Sequence, residues 1–88
     1  MNPGHIEFAA HAFERMFERG ISIAAVIDAL MTGAVIETYT NGGLVLGHMA
    51  ERALHVVYVT TKTGTLVITT YWPDPTRWDA DFTKRVKP

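Results

Sequence analysis

One run of six residues, Leu54-His55-Val56-Val57-Tyr58-Val59, constrains the fold of this chain more than any other stretch. β-Branched and aromatic residues dominate it. Leu54, Val56 and Tyr58 alternate onto one face, and His55, Val57 and Val59 onto the other. Because both faces are apolar, the run predicts a central strand of a sheet. The imidazole inside it must find hydrogen-bond partners or face a cleft where titration near neutrality is useful. His55 therefore has two readings. It is either a satisfied core histidine or a general acid or base at the sheet surface.

The segments on either side predict what surrounds this strand. His5 to Arg19 reads as a helix, with Phe8, Ala9, Ala12, Phe13, Met16 and Phe17 on one broad face and Glu7, Glu14 and Glu18 on another. Gly20 ends it, as glycine does at a left-handed cap, and Ser22 caps a second helix that runs to Thr32. In that helix Ile23, Val26, Ile27, Leu30 and Met31 are expected to share the buried face. Strands are predicted over Val35–Thr40, Leu44–His48, Ala53–Thr61 and Thr65–Trp72, with turns at Asn41-Gly42-Gly43 and Lys62-Thr63-Gly64. Pro73-Asp74-Pro75 breaks the sheet. A short helical turn over Thr76–Thr83 should use Trp78 and Phe82 to fasten the tail. The expected architecture is α+β in the order ααββββ: two helices, then a four-stranded antiparallel meander.

At 88 residues the chain is one domain with a single core. No apolar run approaches the roughly 20 residues of a membrane span, and Met1-Asn2-Pro3-Gly4 does not resemble the start of a secretory leader. Cysteine is absent, which removes disulfides and thiolate metal sites and suits a reducing cytoplasm. The net charge is −1, from 8 Lys+Arg against 9 Asp+Glu. Nucleic-acid binding driven by overall charge is thereby disfavoured, and any such binding needs a local patch.

Several residues outside the central strand carry chemistry. His11, Arg15 and Arg19 are spaced i, i+4, i+8 and form one stripe. Such a stripe is either a solvated face with weak ion pairs or a pair of guanidiniums that holds an anion bidentately. Tyr71 closes the last strand, where its hydroxyl could orient a substrate or donate a proton. Trp72 and Trp78 are expected to pack beneath the following loop. The four histidines show no metal-binding spacing, and the one serine, Ser22, is explained as a cap, so neither a metal nor a serine nucleophile is expected.

Three ordered motifs, His11-Ala12-x-x-Arg15-Met16-x-x-Arg19-Gly20-Ile21-Ser22, Leu54-His55-Val56-Val57 and Thr70-x-Trp72-Pro73-Asp74-Pro75-x-x-Trp78, resemble domain-of-unknown-function family 4258. The resemblance runs from about His11 to Arg85. It implies kinship with toxins of the RelE and MqsR type, which are metal-independent ribonucleases on a helix-plus-antiparallel-sheet scaffold and pair with an antitoxin, here a small zinc-finger protein. Carried onto this chain, it makes His55, His11 and Tyr71 the catalytic candidates. Arg15 and Arg19 become the phosphate contacts, and Arg52, from its place just before the central strand, could add a further one. Two departures stand out: such toxins tend to be basic, and only Lys62, Lys84 and Lys87 supply lysine here.

The implied function is a cytoplasmic toxin of a type II toxin–antitoxin system that cleaves mRNA without metal or cofactor. His55 would act as base on the 2′-hydroxyl, and His11 or Tyr71 would protonate the leaving oxygen. The alternative, which the near-neutral charge favours, is a non-catalytic domain that binds a protein partner or forms a homodimer through a sheet edge.

Overall fold

The computed structural model describes residues 1–87 and contains two helices against one five-stranded sheet. The strands are β1 (His5–Phe8), β2 (Ala34–Tyr39), β3 (Gly42–Met49), β4 (Arg52–Thr60) and β5 (Gly64–Tyr71). The helices are α1 (Ala10–Arg19) and α2 (Ile23–Thr32). Across the sheet the order is β1-β5-β4-β3-β2, which puts the long apolar strand in the centre as its composition requires. Among the described residues no helix is long and apolar enough to cross a membrane.

The expectation of four antiparallel strands after two helices is overturned at the N-terminus. His5–Phe8 is a strand that pairs in parallel with β5, from His5 opposite Gly64 to Phe8 opposite Val67, so the sheet is mixed. Its residues alternate: His5 and Glu7 are exposed, Ile6 and Phe8 half-buried. Only two apolar residues carry that alternation, and Phe8 also fits the helical period of the residues that follow. The sheet decides between them, because β5 would otherwise leave a row of unpaired backbone groups at its edge. The expected helical turn over Thr76–Thr83 is likewise absent. Residues 77–86 instead form a small hairpin around a bridge between Trp78 and Arg85. Asp79 accepts bonds from the backbone N–H of Thr83 (2.9 Å) and Lys84 (3.2 Å), which satisfies the turn locally in place of a helix.

The C-terminus of α1 and the N-terminus of α2 are as expected. Gly20 takes the left-handed conformation (φ 69°, ψ 29°), and Ser22 Oγ accepts from the Ala25 N–H at 3.1 Å. α1 lies over β5 and α2 over β3 and β4, all on one face of the sheet. Ala12, Met16, Val26, Ala29 and Leu30 meet Val45, Leu54, Val56, Tyr58 and Val67 there. Gly47 sets how closely α2 approaches, since a Cβ at that position would overlap the Ala29 side chain. The buried face of each helix is narrower than its apolar face. Phe17 is 90% exposed, and Phe13, Ile23 and Met31 are also exposed rather than buried.

The second face of the sheet has its own cover. Leu44 and Leu46 on β3 and His55 on β4 point away from the helices and are fully or almost fully buried. The tail after Tyr71 lies over them as a strap, and its anchor is Trp78 (5% exposed). The sheet is therefore the middle of three layers, and residues on its two faces do not meet.

Candidate functional site

Two β-bulges decide which side chains join His55. In β5, Tyr58 pairs with Val67, whereas Val57 pairs with Thr69, so Ile68 is an extra residue. Without it Tyr71 would fall opposite Leu54 and point at the helices. With it, Tyr71 sits directly opposite His55, on the same face. In β2, Val35 pairs with Val45 and Glu37 with Leu44, which leaves Ile36 extra. That shift turns Glu37 from the helix side to the strap side. Bulges that re-aim side chains in this way are frequent beside functional sites.

His55 is fully buried, with partners on both ring nitrogens. Nε2 lies 2.9 Å from the Phe82 carbonyl oxygen, which can only accept, so Nε2 carries the proton. In the neutral ring Nδ1 is then an acceptor, and the Tyr71 hydroxyl, 3.4 Å away, is the group that donates to it. The two form a directed line: Tyr71 O–H to His55 Nδ1, and His55 Nε2–H to Phe82 O. Trp78 closes the pocket edge-on, with ring centroids 4.4 Å apart. Burial pushes the His55 pKa below its ordinary 6.5, while the Phe82 carbonyl opposes the shift. Burial raises that of Tyr71.

Beside this line stands an ion pair. Arg85 donates through Nε to Glu37 Oε2 at 2.8 Å and through Nη2 to Oε1 at 3.1 Å, and Tyr39 donates to the same Oε1 at 2.6 Å. The Arg85 hydrogen bonds hold the Glu37 carboxyl below its ordinary 4.5. Arg85 also lies over the Trp78 ring, 4.8 Å from its centroid. These contacts hold the strap against the sheet.

The strap does not seal the face completely. A cleft of about 320 Å³ is lined by Tyr71, Trp72, Asp74, Arg77, Trp78 and Arg85. His55 is behind its wall, reached through Tyr71 and Trp78. Another cavity of about 330 Å³, between residues 1–4 and the β4–β5 turn, has no charged side chain on its lining.

Of the six residues singled out from sequence, the structure brings only His55 and Tyr71 together. His11 is exposed on α1, 3.5 Å from Glu14, with the sheet between it and His55. Arg15 pairs with Glu18 at 3.3 Å in solvent. Arg19 is tied to the frame: its Nη1 donates to the Thr70 carbonyl (2.7 Å), and its own carbonyl accepts from the Trp72 indole (2.9 Å). Arg52 stacks on Trp72 with its guanidinium 4.0 Å from the ring centroid. His11 and Arg15 therefore belong to the other layer, and Arg19 and Arg52 reach the cleft lining only through Trp72.

Glu37, Tyr39, Arg77 and Arg85 were missed. Glu37 and Tyr39 alternate along a strand, a signal that gives no side of the sheet until the bulge is known. Arg77 and Arg85 lie in a tail without periodicity. Among the described residues no group of three or more His, Cys, Asp or Glu comes together as a metal site.

Fold and site together define a small α+β domain in which a sheet carries helices on one face and a strapped histidine–tyrosine pair on the other. A family profile described as "Domain of unknown function (DUF4258)" matches residues 8–72, and the chain belongs to that family. No curated protein and no solved structure matches the chain. His55, Tyr71 and Glu37 fall inside the matched stretch, whereas Arg77, Trp78, Phe82 and Arg85 follow it.

Proposed function

We propose that this protein is a metal-independent endoribonuclease that cuts single-stranded mRNA, acting as the toxin of a type II toxin–antitoxin pair. The observation that carries the reading is the hydrogen-bonded line from Tyr71 to His55 to Phe82, with its outer end at a cleft rimmed by arginines. Fully buried, His55 does not touch the RNA; Tyr71 does. As the 2′-oxygen attacks phosphorus, its proton passes to Tyr71 Oη while the Tyr71 proton moves to His55 Nδ1. The new 2′-O–P bond forms as the P–O5′ bond breaks, leaving a 2′,3′-cyclic phosphate. The departing 5′-oxygen takes a proton from water in the open cleft, and His55 returns its proton to solvent through Tyr71. The phosphoryl oxygens are held by Arg77, whose side chain is 82% exposed and has only a 3.9 Å contact to Asp74.

Charge is consistent with this on the local scale. The overall −1 disfavours RNA, and of the two guanidiniums on the cleft lining Arg85 is paired with Glu37, which leaves Arg77, 3.9 Å from Asp74, as the cation for a phosphate. In the toxin reading the antitoxin, a small zinc-finger protein on the family resemblance, covers this cleft.

The test is cleavage of a labelled single-stranded RNA in excess chelator, together with growth of a bacterial host after induction. The wild type should cut and arrest growth, and Tyr71→Phe should lose roughly 10²- to 10⁴-fold in rate while remaining folded. Folded wild type that does not cut, or Tyr71→Phe that cuts normally, refutes the mechanism.

A second reading, a non-catalytic interaction or homodimerising domain, is favoured by one observation. Phe17, Phe13, Ile23 and Met31 expose apolar surface on the helices.

A further inference from the structure

We infer that Asp79 is the positioning residue of the proton line. Its carboxylate grips the N–H of the Phe82–Thr83 peptide and so turns the Phe82 carbonyl onto His55 Nε2, which keeps Nδ1 bare toward Tyr71. What that nitrogen is used for rests on the proposed nuclease reading; the placement of the groups does not.

One peptide unit carries the connection. The Thr83 N–H donates to Asp79 Oδ1 at 2.9 Å, and the Phe82 carbonyl of the same unit accepts from His55 Nε2, also at 2.9 Å. The unit is trans and planar, so its N–H and C=O point in opposite directions. Fixing the one aims the other. Asp79 is itself held in place. Its N–H donates to the Lys84 carbonyl at 2.9 Å, its carbonyl accepts from the Phe82 N–H at 3.0 Å, and it directly follows Trp78, the anchor of the strap. Burial opposes ionisation of Asp79, but the hydrogen bonds of the turn, led by that from the Lys84 N–H, outweigh it and hold the carboxyl below its ordinary 3.8. At neutral pH the turn therefore presents a full negative charge to the Thr83 amide.

The backbone at Phe82 shows that the orientation is imposed. Its φ of 62° is left-handed, a region that a bulky residue rarely enters. Such strain persists where the surroundings over-determine it, and it gathers at working sites. Asp79 supplies the determination, because it bonds the N–H on each side of the Phe82 Cα: that of Phe82 through its carbonyl, and that of Thr83 through its carboxylate. The other charges that act on His55 do not compete for this role. Glu37 and Arg85 are hydrogen-bonded to each other, and the partners of the two ring nitrogens are Tyr71 and Phe82. A carboxylate that orients a histidine base through its far nitrogen is the arrangement of Ser-His-Asp triads. Here a peptide stands between the two. The carboxylate polarises the amide, the Phe82 oxygen becomes a stronger acceptor, and the imidazolium formed when Tyr71 gives up its proton is stabilised.

The experiment is nitrogen-15 NMR of the His55 ring in the full chain, in mildly alkaline solution where the ring is neutral, with RNA cleavage measured on the same samples. The wild type should show a protonated Nε2 and a bare Nδ1. Asp79→Ala should lose that pattern, the two nitrogens averaging toward each other. Asp79→Asn keeps an acceptor oxygen for the Thr83 N–H and should restore it. Phe82→Gly should also keep it, since glycine takes the left-handed conformation freely and the gripped peptide remains. An unchanged pattern in folded Asp79→Ala, an Asn variant that behaves as the alanine one, or loss of the pattern in Phe82→Gly overturns the positioning role. Asp79→Asn decides the matter even where the alanine variant does not fold: losing the charge should lower the His55 titration midpoint, and an unchanged midpoint overturns the role. In cleavage, Asp79→Ala should reduce the saturated rate about 10- to 100-fold, the range for removing the outer partner of a metal-bound histidine. KM should stay the same, because Asp79 is not on the cleft lining. A wild type that cuts no RNA, with the pattern lost in Asp79→Ala, overturns the nuclease reading and leaves the positioning role intact. Cleavage with a pattern indifferent to Asp79 does the reverse.

Discussion

Trp78→Ala separates the strap from the body of the domain, and the structure sets the size of the effect. The indole is 5% exposed and packs edge-on against His55. Burying a tryptophan side chain removes roughly 150–250 Å² from water, an upper bound of about 4–6 kcal/mol. Truncation to alanine in a core commonly costs about 3–5 kcal/mol. What else holds the strap is weaker. The Arg85–Glu37 pair has its arginine 62% exposed, which limits it to about 1 kcal/mol, and the Phe82–His55 hydrogen bond contributes about as much. The strap should therefore lift off rather than sit around a hole, exposing Leu44, Leu46 and His55 while the layer facing the helices persists. A chain of 88 residues has about 4–13 kcal/mol of total stability, so the body survives the loss over all but the lowest part of that range. The expected result in urea, followed by far-ultraviolet circular dichroism, is a loss of about 3–5 kcal/mol with a reduced slope, because the native state already exposes more surface. In parallel, the His55 imidazole followed by NMR should titrate closer to 6.5, since the burial that lowers it is gone. A loss under about 1 kcal/mol with the His55 titration unchanged would show that Trp78 is not what holds the strap.

Stability should also depend on pH in two separate windows. Folding lowers the His55 pKa below its ordinary 6.5, so its contribution is complete above 6.5 and is lost as pH falls from there through the folded value. Glu37 is held below its ordinary 4.5, so its contribution is complete above 4.5 and disappears only in more acid solution. His55→Gln should remove the upper window and leave the lower one, as read from urea midpoints across neutral and acid pH. Phe17→Glu tests the interaction reading. With Phe17 90% exposed, monomer stability should change by no more than about 0.5 kcal/mol. Sedimentation should show a wild-type dimer that the substitution dissociates. A monomeric wild type removes homodimerisation through this helix face from consideration.

The parts of the fold legible in sequence are those whose signals are local. Gly20 and Ser22 mark the helix ends by the conformation and the side-chain acceptor those positions need, and both stand where expected. The four later strands fall within two residues of their expected bounds, because each is a β-forming run between turn residues. β1 was lost because a four-residue strand at an edge is specified by its neighbour more than by itself. Phe17, Ile23 and Met31 were assigned to the core because helical periodicity identifies an apolar face but not how much of it the sheet has room to cover. The sheet takes Ala12 and Met16 from α1 and Val26, Ala29 and Leu30 from α2, and the rest remain outside.

The site was half legible for the same physical reason. His55 and Tyr71 announced themselves by residue type, but their meeting depends on register, and register here depends on one extra residue at Ile68. Counting alternation along the two strands without that residue puts Tyr71 among the helices, beside the Arg19 and Arg52 that the sequence seemed to group with it. The bulge moves it through the sheet and leaves the arginines behind. The consequence for function is specific. The matched family stretch, residues 8–72, contains the histidine, the tyrosine and both bulges, so the Tyr71–His55 contact lies within it. The Phe82 carbonyl that fixes the tautomer, the tryptophan wall and the guanidinium at the cleft all come from the tail. A histidine whose Nε2–H had no carbonyl to face could carry its proton on Nδ1 instead, and would then donate to Tyr71 and be unable to accept from it. In this domain the strap is what turns the acceptor nitrogen of His55, Nδ1, toward Tyr71.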